Sequence, residues 1–166
     1  MACFTTGGHN CFGPYYPCQV WTSVSRCDSN TVVNPVIVPN FAFFTLASSV
    51  TVTSGGVVPL ALVSSSGTAI TLTTVGEITL AVGTYAVNYN ISSILGASGS
   101  NSFGLTLNGV TIPASVTSVT GSAGDSASLS NSVIITVTSP SALRIVNLGT
   151  DAVVVNMANL FVQKLS

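Results

Sequence analysis

The chain has 166 residues, of which three are Lys or Arg, four are Asp or Glu, and 47% are apolar. That composition argues against disorder, since disordered chains are charge-rich and poor in β-branched residues. It also argues against electrostatic nucleic-acid binding, which needs clustered cations where this chain has only Arg26, Arg144 and Lys164.

The length suits one domain with a short appendage. No apolar run is long enough to cross a bilayer as a helix, because Thr, Ser, Asn and Gly interrupt the apolar residues throughout. The N-terminus lacks the cationic start and apolar stretch of a secretory signal and has Gly7, Gly8, His9 and Asn10 there instead. The expectation is a chain outside the membrane, made without a signal peptide. Its charge-poor surface should associate, with the surplus apolar area covered at a subunit interface.

Residues 1–27 form a distinct N-terminal segment. It holds all the cysteines, Cys3, Cys11, Cys18 and Cys27, with the sole His, His9, and the sole Trp, Trp21. The cysteine spacing is not that of paired C-x-x-C zinc ligands, although a Cys₃His site with His9 remains formally possible. Disulfides within one chain and disulfides between subunits both remain open. Around Gly13-Pro14-Tyr15-Tyr16-Pro17-Cys18, the prolines predict a stiff extended peptide. Phe4, Phe12, Tyr15, Tyr16 and Trp21 are suited to anchoring an interface, either on the chain's own body or on a neighbour. Residues 28–40, with Pro35 and Pro39, read as an extended neck.

Residues 41–166 read as β throughout. Strands are predicted at Phe41–Leu46, Val57–Val63, Ala69–Thr73, Glu77–Leu80, Thr84–Ser92, Ser102–Asn108, Ala127–Thr138, Ala142–Leu148 and Ala152–Leu165. Thr84–Ser92 alternates most clearly, with Tyr85, Val87, Tyr89 and Ile91 on one face and Ala86, Asn88, Asn90 and Ser92 on the other. Turn residues separate the strands, among them Ser54-Gly55-Gly56, Val82-Gly83, Asn108-Gly109, Ser139-Pro140-Ser141 and Gly149-Thr150-Asp151. Many short strands without a helix predict a sandwich or barrel. The run Val133–Val137 is apolar on both faces, which predicts burial against a neighbouring subunit.

Little in the chain could catalyse a reaction. His9 is isolated in the tail, the carboxylates have no near partner in sequence, and no nucleophile elbow, P-loop or dinucleotide fingerprint occurs. Gly121–Asp125 reads as a plain loop. Asp125 and Asp151 read as turn formers, too scattered for calcium. No catalytic residue, metal or cofactor is expected. The loops Ile94–Asn101 and Ala114–Ser126 carry no aromatic residue, which disfavours glycan binding. The sequon Asn90-Ile91-Ser92 falls inside a predicted strand.

Two stretches carry a resemblance. Val75-Gly76-Glu77-Ile78-Thr79-Leu80 leads to Gly83-Thr84-Tyr85-Ala86-Val87 and Asn90, and Leu105-Thr106-Leu107-Asn108-Gly109-Val110 leads to Pro113. Their order resembles the tumour-necrosis-factor-like jelly roll, in particular the C-terminal heads of collagen-like exosporium glycoproteins of spore-forming bacteria. The resemblance spans residues 41–165 and implies an all-β, homotrimeric jelly-roll head with an extended N-terminal tail. No collagen repeat occurs here. The Cys-rich tail instead resembles, in design, the connector of subunits that stack into thin endospore appendages. This implies a structural subunit on the spore surface whose partners are itself and, beyond itself, an anchor protein and a tip protein. Interchain disulfides would form once the mother cell lyses. The competing expectation is a receptor- or glycan-binding head of the same fold.

Overall fold

The computed structural model describes residues 39–166 and the backbone of residues 9–10 and 19–20. The chain divides into two compact units, Met1–Val36 and Ile37–Ser166. Within the first, β1 (His9–Asn10) pairs antiparallel with β2 (Gln19–Val20), His9 opposite Val20. Cys3, Cys11, Cys18, Cys27, Phe4, Phe12, Tyr15, Tyr16 and Trp21 lie outside the described residues, as does the predicted neck up to residue 38.

The second unit is a sandwich. Its strands are β3 (Phe41–Leu46), β4 (Val50–Val52), β5 (Leu60–Ser66), β6 (Ile70–Thr74), β7 (Glu77–Leu80) and β8 (Gly83–Ile94). They continue with β9 (Ser100–Leu107), β10 (Val110–Thr111), β11 (Thr117–Thr120), β12 (Ser126–Val137), β13 (Ser141–Asn147) and β14 (Val153–Lys164). Sheet I runs β10-β9-β13-β7-β6, with β11 also on β9. Sheet II runs β12-β8-β14-β3-β5, with β4 also on β14. All pairings are antiparallel.

Period-two alternation explains the core. On β8, Tyr85, Val87, Tyr89 and Ile91 point inward and are buried, as the sequence predicts. Phe44 of β3, Leu60 of β5, Ile78 of β7, Phe103 and Leu105 of β9, Leu143 and Ile145 of β13, and Leu160 of β14 join them. Burying each such side chain contributes about 1.5–3 kcal/mol. The tyrosine hydroxyls are satisfied at the core's margins. Tyr85 Oη donates to Ala81 O at 2.8 Å and Tyr89 Oη to Ser115 O at 2.5 Å.

Turn chemistry sets the hairpins. Asn108 and Gly109 both have positive φ, 52° and 82°, which matches the twist of the flanking strands and places Leu107 opposite Val110.

Several predicted boundaries need correction. The strand expected at Val57–Val63 is displaced to Leu60–Ser66, because Pro59 has no N–H for the ladder and Val57 makes only an isolated bridge to Val146. Thr117–Thr120, expected as loop, is β11, which pairs with β9 from Phe103 to Ser100. Its polar TSVT sequence hid it. β4 and β10 were too short to stand out. Asn101, expected in a loop, is buried inside β9. The doubly apolar reading of Val133–Val137 also fails. Val133, Ile135 and Val137 face inward, but the outward row of β12 is Ser128, Ser130, Ser132, Ile134 and Thr136, apolar only at Ile134.

Candidate assembly surface

The two outer faces of the sandwich differ in chemistry. Sheet I presents Thr71, Thr73, Thr79, Ser100 and Ser102, together with an ion pair in which Arg144 donates to Glu77 Oε2, its Nε at 3.0 Å. Both partners are partly exposed, so the pair contributes about 1 kcal/mol at most. This is an ordinary wet face.

Sheet II presents no charge outward. The alternation that buries Ala42 and Phe44 turns Phe41 and Phe43 out, and the one that buries Leu160 and Val162 turns Phe161 out. Phe43 lies directly opposite Phe161 across β3 and β14. The Phe41 and Phe161 rings stack, centroids 6.3 Å apart at 29°. Such an aromatic pair contributes about 0.5–1.5 kcal/mol beyond its buried area. The bulge between Val155 and Met157 carries Met157 to the same face, where it is 43% exposed. Ile134 of β12 is 67% exposed on this face.

Beside the aromatics runs a polar row. Thr45, Asn159, Asn90 and Ser130 are register partners across β3, β14, β8 and β12. Thr45 Oγ1 donates to Asn159 Oδ1 at 2.9 Å. Asn90 Oδ1 is buried without a hydrogen-bond partner, alone in this respect among the described residues. A buried acceptor left unmade costs about 1–3 kcal/mol.

The ends of the sandwich also differ. At one end the chain enters beside its own C-terminus. Lys164 N donates to Asn40 O at 2.8 Å, and Thr84 N to Ser166 O at 3.0 Å. Asn40 Oδ1 accepts from Thr68 N and Ala69 N. At the other end, buried Asn147 ties the loops together. Its Nδ2 donates to Val52 O, Thr53 O and Asp151 O, and its Oδ1 accepts from Gly149 N. Asp151 Oδ2 accepts from Ser98 N at 2.6 Å, which holds this carboxyl below its ordinary range. Asp125 Oδ2 closes its own turn on Ser122 N at 3.1 Å, the turn-forming role expected of it. Asp151 clamps a different loop. Among the described residues no group of three or more His, Cys, Asp or Glu side chains could hold a metal, and no helix is long and apolar enough to cross a membrane.

Structural comparison gives the architecture its place. No family model matches the chain and no curated protein matches it. Solved structures do. Eiger TNF from S. frugiperda aligns with a TM-score of 0.64 at 17% identity, over 77% of this chain and 94% of that one. The globular domain of zebrafish complement 1qA aligns with a TM-score of 0.58 at 15% identity, over 76% and 96%. The fold is a tumour-necrosis-factor-like jelly roll. The PRD1 vertex protein P5 also aligns, with a TM-score of 0.52 at 15% identity, over 78% and 99%. At these identities the likeness is one of fold, and it bears out the expected all-β jelly-roll sandwich.

The sequence-predicted docking residues of the tail are outside the described region, so the jelly roll's own candidate surface comes from residues assigned no docking role from the sequence: Phe41, Phe43, Phe161, Asn90 and Asn159. A signal for them was present. The alternation in Thr84–Ser92 places Asn88 and Asn90 together opposite the tyrosines, and Phe-Ala-Phe-Phe over 41–44 cannot bury all its rings on one face of a strand.

Proposed function

We propose that the chain is a structural, self-assembling subunit whose jelly-roll heads trimerise through the outer face of sheet II. The carrying observation is the asymmetry of the two outer faces: sheet I is largely polar and holds the Glu77–Arg144 ion pair, whereas sheet II is free of charge, turns half-buried Phe41, Phe43 and Phe161 outward and exposes Ile134 and Met157. An apolar, charge-depleted patch rimmed by polar residues is the ordinary composition of an interface core. Closed contacts through this face make a discrete trimer. Contacts through residues 1–27 are open and therefore propagate, so that heads stack head-to-tail into a thin filament.

In this reading Phe4, Phe12, Tyr15, Tyr16 and Trp21 dock on the next trimer, and Cys3, Cys11, Cys18 and Cys27 lock the contact by disulfides. The product is an appendage on a spore surface, joined to an anchor protein at its base and a tip protein at its end. Two features support this: every cysteine precedes the jelly roll, and the head's N- and C-termini leave at one end, so that a tail can project along a filament axis.

A second reading is a receptor- or glycan-binding head. The absence of aromatics from the loops at the Asn147 end counts against it. Negative-stain microscopy of the purified chain separates the two. Filaments support the structural subunit; discrete particles that never polymerise, with or without oxidant, support the binding head.

A further inference from the structure

We propose that Asn108 is a site of spontaneous chemical modification, deamidation through a succinimide, and that β13 holds it shut. Asn108-Gly109 is the one Asn-Gly pair in the chain. It forms the exposed turn between β9 and β10, with both residues at positive φ. Open space surrounds Gly109, and glycine has no side chain to hinder its own amide nitrogen. Water and base therefore reach the group that would attack. In the reaction Gly109 N gives up its proton to hydroxide and bonds to Asn108 Cγ. The Cγ–Nδ2 bond breaks, and the nitrogen takes up a proton from water and leaves as ammonia. Water then opens the five-membered ring at either carbonyl, to aspartate or to isoaspartate. No group is oxidised or reduced.

Attack requires the carboxamide to swing onto Gly109 N, and both of its polar atoms are held elsewhere. Asn108 N donates to Ala142 O at 2.8 Å, and Ala142 N donates back to Asn108 Oδ1 at 2.8 Å. The side chain thus takes the place of a main-chain carbonyl and lengthens the β9–β13 ladder beyond the Leu107–Leu143 pair. Asn108 Nδ2 donates to Ser141 Oγ at 3.0 Å. Ser141 is buried, and its hydroxyl is aimed by its own bond to Ser139 O at 2.7 Å. Freeing the carboxamide breaks two hydrogen bonds and strips Ala142 N of its acceptor, a loss that backbone groups in folded chains rarely bear. Modification therefore waits on the opening of this turn from β13. The two products differ in consequence. Aspartate keeps an acceptor for Ala142 N. Isoaspartate inserts a carbon into the main chain and cannot keep Leu107 opposite Val110.

The test incubates the full chain at pH 8 and 37 °C, as wild type and Ser141→Ala, beside a synthetic peptide of residues 105–111. Digestion and mass spectrometry then count aspartate and isoaspartate at position 108, a readout that serves filaments and free heads alike. The peptide, which lacks β13, should convert at least tenfold faster than the wild-type chain. Ser141→Ala should convert at least threefold faster than wild type. Asn101 and Asn131, each followed by Ser, should not respond to Ser141→Ala. If they do, the variant has loosened the sheet at large, and hydrogen exchange at Ala142 N in the wild type decides. The slowing at Asn108 relative to the peptide should match the protection of that amide within a few-fold, since one opening frees both. Wild type converting as fast as the peptide overturns the proposal. So does a folded Ser141→Ala chain as slow as wild type, or a slowing and a protection that differ by more than tenfold.

Discussion

Asn147 shows how one side chain can organise an end of the sandwich. It is fully buried and makes four hydrogen bonds to backbone groups of three segments, 52–53, 149 and 151. Asn147→Ala removes all four of these hydrogen bonds and opens a cavity, so the variant should lose about 2–4 kcal/mol, read as a lower denaturant midpoint. Asp151 acts on the same end by different physics. The Ser98 backbone N–H, and then its hydroxyl, favour the ionised carboxylate and lower its pKa in the folded state. A depressed carboxylate stabilises the fold above its unfolded-state pKa, and that contribution is lost as pH falls through the folded value. Thermal stability should therefore decline below about pH 4, and Asp151→Asn should flatten that decline. Calorimetry from pH 6 to pH 2 checks this; parallel curves for both proteins would show the Ser98 contact to be inconsequential.

At the scale of elements, the inward rows were legible because burial and alternation coincide. The pattern over Thr84–Ser92 names its buried face correctly, and the Asn108-Gly109 turn specifies its hairpin. What escaped were pieces stabilised by context. Thr117–Thr120 has no apolar row of its own and becomes a strand only because β9 offers a free edge. Pro59 displaces a strand whose valines read well in isolation. The candidate surface was half legible: parity along β3 and β8 shows which residues turn away from the core, but their meeting across β14 depends on register, which no single strand encodes. The outward row of β3 and β14 carries a prediction. Phe161→Ser removes the ring that stacks on Phe41 and faces Phe43. Since Phe161 lies outside the core, the head should stay folded with near-native circular dichroism while its association weakens at least tenfold, measured by sedimentation over a dilution series. A folded variant that associates like wild type would exclude this row from the interface.

For the whole molecule, the scarcity of charge governs behaviour in solution. Ion pairs can contribute little to contacts between copies when the sheet II face has no charge and the ion pair among the described residues lies on sheet I. Assemblies should persist in molar salt at neutral pH, and dissolution by salt alone, followed by light scattering, would count against an apolar interface. Removing residues 1–27 should abolish filaments and leave the heads folded. Changing Cys3, Cys11, Cys18 and Cys27 together to Ser should spare filament formation but remove resistance to denaturant, since noncovalent contacts then no longer have a covalent lock. The central claim, that the jelly roll self-associates through its charge-free face, is tested most directly by sedimentation equilibrium of the chain lacking residues 1–27. The account predicts one species at three times the chain mass, unchanged between low and molar salt. A folded species at the mass of a single chain, at concentrations where the full-length protein assembles, would contradict it.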